Sequence, residues 1–190
     1  GKTTKNEGTG SLLVHETFQT NKQASVGGRY NVMVIEEVGL EDQLLTVLGA
    51  SESTMDMGSG KFGSCLIIGT GGDMDKVIET EIVFRDPEAY EFLAFKDVYE
   101  QRGVISFFFP SLYTNLEYKD KNGNTLIEKS LQYEQQQREL KKKANNSSAY
   151  DEYVMSRPLV PSEIFLSKTG NKFPVMMLRE QQGSNDRYQY

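Results

Sequence analysis

Two short apolar runs constrain the fold of this chain more than any other feature. The first is Val32-Met33-Val34-Ile35, and the second covers residues 65–68, Cys-Leu-Ile-Ile. Both runs are apolar at every position, as is typical of strands buried on both faces of a parallel sheet. Between them, residues 39–48 carry leucines at helical spacing. This alternation predicts an α/β fold with a mostly parallel sheet and flanking helices.

The length and composition describe a globular chain with an acidic surface. The chain has 190 residues, of which 37% are hydrophobic and 25% are charged, and this favours one domain with at most a small appendage. No apolar run approaches the roughly 20 residues that a membrane span needs. A net charge of −6 indicates that DNA contact would need a local patch or a second domain. Cys65 is the single cysteine, so no intramolecular disulfide can form, and a reducing, intracellular environment is expected.

Further elements follow from periodicity and from turn residues. We expect strands at 12–18, 92–95 and 104–109, a loop at 51–61, and a helix at 73–83 with Asp73 near its N-cap. The character changes at Ser111, after which a turn at 120–124 leads into helices at 125–146 and 149–155. Residues 134–143 are predicted to form a solvated helix face, and Pro174 is predicted to begin a last short helix. The domain prediction is therefore an α/β part at 1–110, a helical part at 111–182 and a polar tail at 183–190.

The first candidate site is the pair of acids, Glu36 and Glu37, that ends the first apolar run. Ligands of open α/β sheets bind beyond the carboxyl ends of the strands. There, one carboxylate can hold Mg²⁺ through water, while the other orients or deprotonates the water that attacks a γ-phosphate. The alternative is that the two acids simply end a strand at a solvated loop.

The second candidate is the segment Gly69-Thr70-Gly71-Gly72 after the second apolar run. A Thr at this position can sense the γ-phosphate or the attacking water, and the glycines allow the backbone to approach or to shift. The alternative is a glycine-rich turn between a strand and a helix. Arg29, on a glycine-rich loop, is a candidate arginine finger, in cis or from a neighbouring subunit, or else an ordinary surface arginine.

Three further motifs give weaker signals. Gly1-Lys2-Thr3 has the last residues of a phosphate-binding P-loop, but it lacks the preceding glycines and a good following helix. His15 is the only histidine and has no partner at a suitable spacing, which argues against a catalytic triad or a zinc site. The cluster at 141–143, Lys-Lys-Lys, is predicted to be a solvated helix end, and contact with DNA phosphates is its alternative.

Three segments together resemble a known family. The residues R-Y-N-V-M-V-I-E-E-V-G at 29–39, G-T-G-G-D-M at 69–74 and P-L-V-P-S-E-I-F at 158–165 resemble, in this order, the ATPase region of the large terminase subunit of tailed bacteriophages. The resemblance covers residues 11–178. It implies a P-loop-NTPase-like sheet with a helical lid, ATP and Mg²⁺ as cofactors, and transport of double-stranded DNA into a procapsid. It further implies a portal protein and a small terminase subunit as partners, a ring of identical subunits, and a location in the host cytoplasm and at the portal, with no membrane.

The resemblance also implies roles for individual residues. Glu36 takes the magnesium position, Glu37 is the catalytic glutamate, Thr70 lies in the motif that couples hydrolysis to DNA movement, and Arg29 is the candidate finger. Gly69 and Gly71 are the expected nucleotide-binding glycines.

The family's P-loop and nuclease domain are missing from these 190 residues, so we expect a fragment that alone hydrolyses ATP negligibly. The alternatives are another P-loop motor, such as a helicase, and a non-catalytic α/β interaction domain.

Overall fold

The computed structural model describes residues 10–57, 60–73, 77–143 and 147–166. The helices are α1 Leu44–Met55, α2 Ile78–Arg85, α3 Ile127–Lys143 and α4 Ser147–Ser156. The strands are β1 Val32–Ile35, β2 Asp56–Met57, β3 Gly60–Lys61, β4 Ser64–Ile67, β5 Gly72–Asp73, β6 Phe95–Lys96, β7 Val104–Ile105 and β8 Phe165–Leu166. Short 3-10 turns occur at Val38–Leu40, Glu88–Tyr90, Ser111–Thr114, Leu116–Tyr118 and Pro161–Glu163. The predicted mixed α/β class is confirmed.

The two apolar runs form neighbouring parallel strands, β1 and β4. Their register pairs Val32 with Ser64 and Ile35 with Ile67. Parallel neighbours need a crossover connection, and α1 provides it. The β2–β3 hairpin follows α1, near the amino ends of the strands, where the Thr54 carbonyl accepts a hydrogen bond from the Tyr30 amide.

The hydrophobic core lies on one face of this strand pair. Met33 and Ile35 of β1 pack with Leu44 and Val47 of α1 and with Val83 of α2. The opposite face is largely exposed, which corrects the prediction that the strands are buried on both faces. Its four aliphatic side chains are between 43% and 63% exposed; they are Val32, Val34, Leu66 and Ile68.

The strands predicted at 92–95 and 104–109 are much shorter in the structure. They are reduced to the two-residue antiparallel pair β6 and β7. After β7 the chain leaves its partner, because the Ser106 amide donates to the Phe84 carbonyl of α2. The loop between β6 and β7 is organised by the buried Asp97 carboxylate, which accepts hydrogen bonds from three backbone amides, those of Tyr99, Glu100 and Arg102.

The helical part contains α3 and α4, close to the predicted positions, and it is tied to the α/β part by β8. This strand pairs in parallel with β5, so that Gly72 faces Phe165 and Asp73 faces Leu166. Asp73 therefore lies in a strand and does not cap a helix. The helix predicted from that position begins only at Ile78.

Two expectations for the first half of the chain are wrong. Residues 12–18 form no strand, and Leu12 and Leu13 are almost fully exposed. The helix predicted at 39–48 begins at Leu44, because residues 38–40 form a 3-10 turn instead, and it extends into the predicted loop as far as Met55.

The predictions for Gly1-Lys2-Thr3, for a helix at Pro174 and for the tail at 183–190 fall outside the described residues. Among the residues described, no helix has both the length and the apolar character required to cross a bilayer.

Candidate functional site at the carboxyl ends of two parallel strands

Glu36 and Glu37 form an exposed two-residue bulge where β1 ends. The Ile68 amide donates to the Ile35 carbonyl (2.9 Å), and the Val38 amide donates to the Ile68 carbonyl (3.2 Å). The two acids lie between these bonds, and both are exposed. Glu37 has φ 55° and ψ 38°, the left-handed conformation that costs a non-glycine residue free energy. Strained positions cluster at functional sites, although Glu91 and Gln101 adopt the same left-handed conformation elsewhere in the chain.

Neighbouring elements hold this bulge in place. The Leu40 amide donates to the Glu37 carbonyl (2.8 Å) and closes the 3-10 turn that follows. From α2, the Thr80 hydroxyl donates to the Val38 carbonyl at 3.4 Å. Both acids are thus carried by a fixed backbone while their side chains face solvent.

The glycine-rich segment after β4 lies directly against the same turn. A Cβ atom on Gly69 would stand 2.7 Å from the Val38 nitrogen, and one on Gly72 would overlap the Gly39 carbonyl. Only glycine permits such close approach of two backbones. The structure therefore brings the two candidate segments together at one sheet edge.

The other side of this glycine segment contacts the helical part. A Cβ on Gly71 would stand 2.6 Å from the Met155 carbonyl oxygen of α4 and would overlap the Ile164 carbonyl. Gly71 is therefore covered by protein backbone, whereas Gly69 and Thr70 are exposed. The segment is a direct connection between the acid-bearing turn and the helical part.

The donors at this edge suit a hydrated hard cation. Mg²⁺ typically takes one or two carboxylates and keeps several waters, and Glu36 and Glu37 can supply those carboxylates. Within the described parts of the chain, no group of three or more His, Cys, Asp or Glu side chains is placed to hold a metal. Glu36 and Glu37 are therefore the residues that would hold such an ion, with water in its remaining positions.

Arg29 lies at the other end of β1. Its guanidinium donates to the Asp56 carbonyl at 2.9 Å. It precedes Glu36 by seven residues, which at the rise of an extended chain is a distance of about 20 Å. The structure does not bring Arg29 to the acids of its own chain, which argues against the arginine finger in cis.

The remaining sequence candidates show no catalytic arrangement. His15 is exposed, and Lys141, Lys142 and Lys143 are exposed at the end of α3. Burial raises the pKa of the half-buried Cys65 thiol to about 11, so the thiol stays protonated and is a poor nucleophile at neutral pH.

Sequence reasoning missed a buried ionic cluster in the helical part. Glu134 is fully buried and accepts hydrogen bonds from Arg157, from Asn115 (2.9 Å) and from the Tyr153 hydroxyl (2.9 Å). Burial alone would raise the pKa of Glu134, but these donors outweigh it and hold the pKa below 4.5. Every polar atom of Glu134 has a partner, so the cluster is structural. No local sequence signal predicts it, because the partners lie 19 and 23 residues away.

A second buried pair lies beside this cluster. Arg138 binds Glu163 through both terminal nitrogens, at 2.6 and 2.7 Å, and also donates to the Arg157 carbonyl. Glu134 and Arg138 correct the prediction that 134–143 is a solvated face.

Comparisons with protein-family models, with curated proteins and with solved structures return no match for this chain.

Proposed function

We propose that this chain is part of the ATPase core of a viral genome-packaging motor, the large terminase subunit of a tailed bacteriophage. One observation carries the proposal: Glu36 and Glu37 form an exposed, strained bulge beside the Gly69–Thr70 backbone, at the carboxyl edge of a parallel strand pair. Nucleotide phosphates bind at this edge in open α/β sheets. Two of the three segments that carry the family resemblance, those at 29–39 and 69–74, contribute the residues that meet there, and the third, at 158–165, contacts the other side of the glycine segment.

The proposed chemistry divides the work between the two acids. Glu36 would hold a hydrated Mg²⁺, which would supply charge neutralisation for the ATP phosphates, and Glu37 would orient the attacking water and accept its proton. Thr70 contacts the γ-phosphate or the water, with Gly69 and Gly71 shaping the backbone beside it. Arg29 of a neighbouring subunit neutralises charge in the transition state, which requires a ring of identical subunits.

The partners follow from the same proposal. They are double-stranded DNA, a portal protein and a small terminase subunit. Since the net charge is −6, the grip on DNA comes from a local basic patch, such as 141–143, or from a domain outside this chain. The P-loop that binds most of the triphosphate also lies outside it, so these 190 residues alone turn over ATP negligibly.

A non-catalytic interaction domain is the second candidate. It is favoured by the packing of Gly71 and Gly72, whose missing side chains are accounted for by backbone contacts without any phosphate. The uncovered aliphatic face of β1 and β4 also favours a role in binding other protein.

Substitution of Glu37 by Gln in the complete parent protein separates the two candidates. The change removes the proton acceptor and keeps the shape, so ATP hydrolysis should fall by about 100-fold or more, the usual contribution of a general base. Glu117→Gln is the matched control, because Glu117 is an exposed acid in the helical part. Its turnover should equal that of the wild type.

The outcome is decided by turnover together with a binding measurement. Loss of hydrolysis in Glu37→Gln with retained ATP binding supports the motor. Equal hydrolysis in all three proteins overturns the role of Glu37, and the absence of hydrolysis from the wild-type parent overturns the motor in favour of the interaction domain.

A further inference from the structure

The turn that carries Glu37 ends at a buried acid, Glu41. The Glu41 amide donates to the Val38 carbonyl (3.1 Å) and closes the last bond of the 3-10 turn. The Glu41 carboxylate accepts a hydrogen bond from the Gln43 amide at 2.9 Å, just before α1 begins. Glu41 is thus bound through its backbone to the acid-bearing turn and through its side chain to the start of α1.

The charge of Glu41 is neutralised by a lysine that lies earlier in the chain. The Lys22 ammonium is 2.5 Å from the Glu41 carboxylate and 2.9 Å from that of Asp42. The side chains of Lys22 and Glu41 are only 20% and 9% exposed, whereas that of Asp42 is 59% exposed. Among the residues that the structure describes, Lys22 is the only cation paired with Glu41. Loss of the ammonium would therefore leave a buried carboxylate without its counter-charge.

The segment around Lys22 has anchors of its own. Phe18 packs against the core formed by β1 and α1. The Ser25 hydroxyl shares a hydrogen bond of 2.7 Å with the Ser51 hydroxyl of α1, and both serines are buried. Since these contacts fix the segment on either side of Lys22, the main effect of removing the ammonium falls on Glu41 and on the turn.

The turn depends on such an anchor because Glu37 is strained. Its φ of 55° lies in the left-handed region, where a non-glycine residue stays only if the surrounding structure over-determines it. The Val38 amide, on the Ile68 carbonyl at 3.2 Å, fixes one end of the turn, and Glu41 fixes the other. Release of the Glu41 end would let the Glu37 backbone relax and would move its carboxylate.

We propose that Lys22 is a positioning residue for Glu37 and that it acts through Glu41 and the turn Val38–Leu40. This inference rests on the proposed function, because it assigns to Lys22 the support of the water-orienting acid. A displacement of about 1 Å at a reacting group can lower a rate by about 100-fold, so the effect falls on kcat. The groups that bind most of the triphosphate lie outside this chain, so KM for ATP should change little.

Steady-state ATP hydrolysis by the complete parent protein tests the proposal. Lys22→Met should lower kcat by about tenfold or more at a nearly constant KM, and Lys22→Arg, which keeps the cation, should restore kcat. Glu41→Ala should match Lys22→Met. Asp42→Ala, the same change at the neighbouring exposed acid, should hydrolyse ATP like the wild type. Lys61→Met, which breaks an exposed ion pair with Glu91, is the control for the loss of a lysine.

NMR of the isotope-labelled chain gives a readout that does not depend on ATP. The backbone ¹³C shifts of Glu37 report its left-handed conformation. They should change in Lys22→Met and Glu41→Ala, and they should stay at the wild-type values in Lys22→Arg and Asp42→Ala. Far-UV circular dichroism checks the fold, and Lys22→Gln replaces Lys22→Met if that variant unfolds.

The results separate this inference from the proposed function. Wild-type kcat in Lys22→Met, alongside an inactive Glu37→Gln, overturns the role of Lys22 and leaves the motor standing. A loss of kcat that Lys22→Arg does not restore, or that leaves the Glu37 shifts unchanged, also overturns it. Absence of hydrolysis from the wild-type parent overturns the proposed function itself, and the role of Lys22 falls with it.

Discussion

Two pairs of acidic side chains, one pair in the α/β part and one in the helical part, have opposite environments. At the end of β1, Glu36 and Glu37 are exposed on a strained backbone. In the helical part, Glu134 and Glu163 are buried and bound by arginines. A charge that is buried and fully hydrogen-bonded serves the fold, whereas a charge held in solvent at a cost in backbone strain is available to a ligand.

The two parts also differ in how their apolar surface is covered. The sheet face of β1 and β4 leaves four aliphatic side chains in contact with solvent, although parallel strands are normally covered on both faces. The helical part buries Val154, Met155 and Leu166 in a core of its own. The α/β part therefore exposes aliphatic side chains together on one sheet face, whereas the exposed aliphatic side chains of the helical part, such as Leu116, Ile127 and Leu140, lie on helices and turns.

The largest expected effect comes from removing a buried charge. Glu134→Gln leaves Arg157 without its ion pair and should lower the free energy of unfolding by about 3 kcal/mol. Glu81→Gln is the matched change on α2, where Glu81 pairs with Arg85 one turn away in partial exposure, and it should cost about 0.5 kcal/mol. Urea denaturation of both variants measures the difference. Equal losses of unfolding free energy in the two variants would contradict the distinction between the buried pair of Glu134 and the partly exposed pair of Glu81.

A smaller effect is expected where the two parts touch. Gly71→Ala places a Cβ against the Met155 and Ile164 carbonyls and should cost about 2 kcal/mol, as overpacking does. Gly49→Ala, on α1 at a position where a Cβ meets nothing within 4 Å, should instead stabilise by about 0.5 kcal/mol through its higher helix propensity. Thermal unfolding should thus move in opposite directions in the two variants. An unchanged thermal stability of Gly71→Ala would mean that the Met155 and Ile164 carbonyls do not lie this close to Gly71.

The smallest effect is a pH dependence that belongs to the helical part. The pKa of Glu134 is lower in the folded chain than in the unfolded one. Its contribution to stability is therefore fully present above the unfolded pKa, near 4.5, and is lost as the pH falls through the folded pKa. Glu134→Gln should show a shallower loss of stability with acid than the wild type. Parallel curves of unfolding free energy against pH would contradict this role of Glu134.

The sequence predicts best what local pattern determines. β1, β4 and their parallel pairing follow from two uninterrupted apolar runs, and α3 follows from a long run without glycine or proline. The start of α1 was not predicted, because residues 38–40 form a separate 3-10 turn, closed by the Leu40 amide on the Glu37 carbonyl, before the helix begins at Leu44. Residues 12–18 have the composition of a strand, but a strand also needs an edge to pair with.

The candidate site was predictable in part, for the same reason. The ends of parallel strands meet at one edge, so the proximity of Glu36 and Glu37 to Gly69 and Thr70 follows from the strand prediction. The distance of Arg29 from that edge follows from the length of an extended chain, whereas the family resemblance suggests the finger role without regard to that distance. Non-local pairs such as Glu134 with Arg157 have no signature in a single sequence.

The most direct test of the central claim is paramagnetic broadening of the backbone amides by Mn²⁺ with ATP, measured by NMR on the isotope-labelled chain. Mn²⁺ replaces Mg²⁺ at phosphate sites and broadens only nearby resonances, so even weak binding is located. The account predicts that the amides of Glu36, Glu37, Gly69 and Thr70 broaden first, and that Glu36→Gln/Glu37→Gln abolishes this order. Broadening that begins elsewhere, or that is unchanged in the double variant, would contradict a nucleotide site at the ends of β1 and β4.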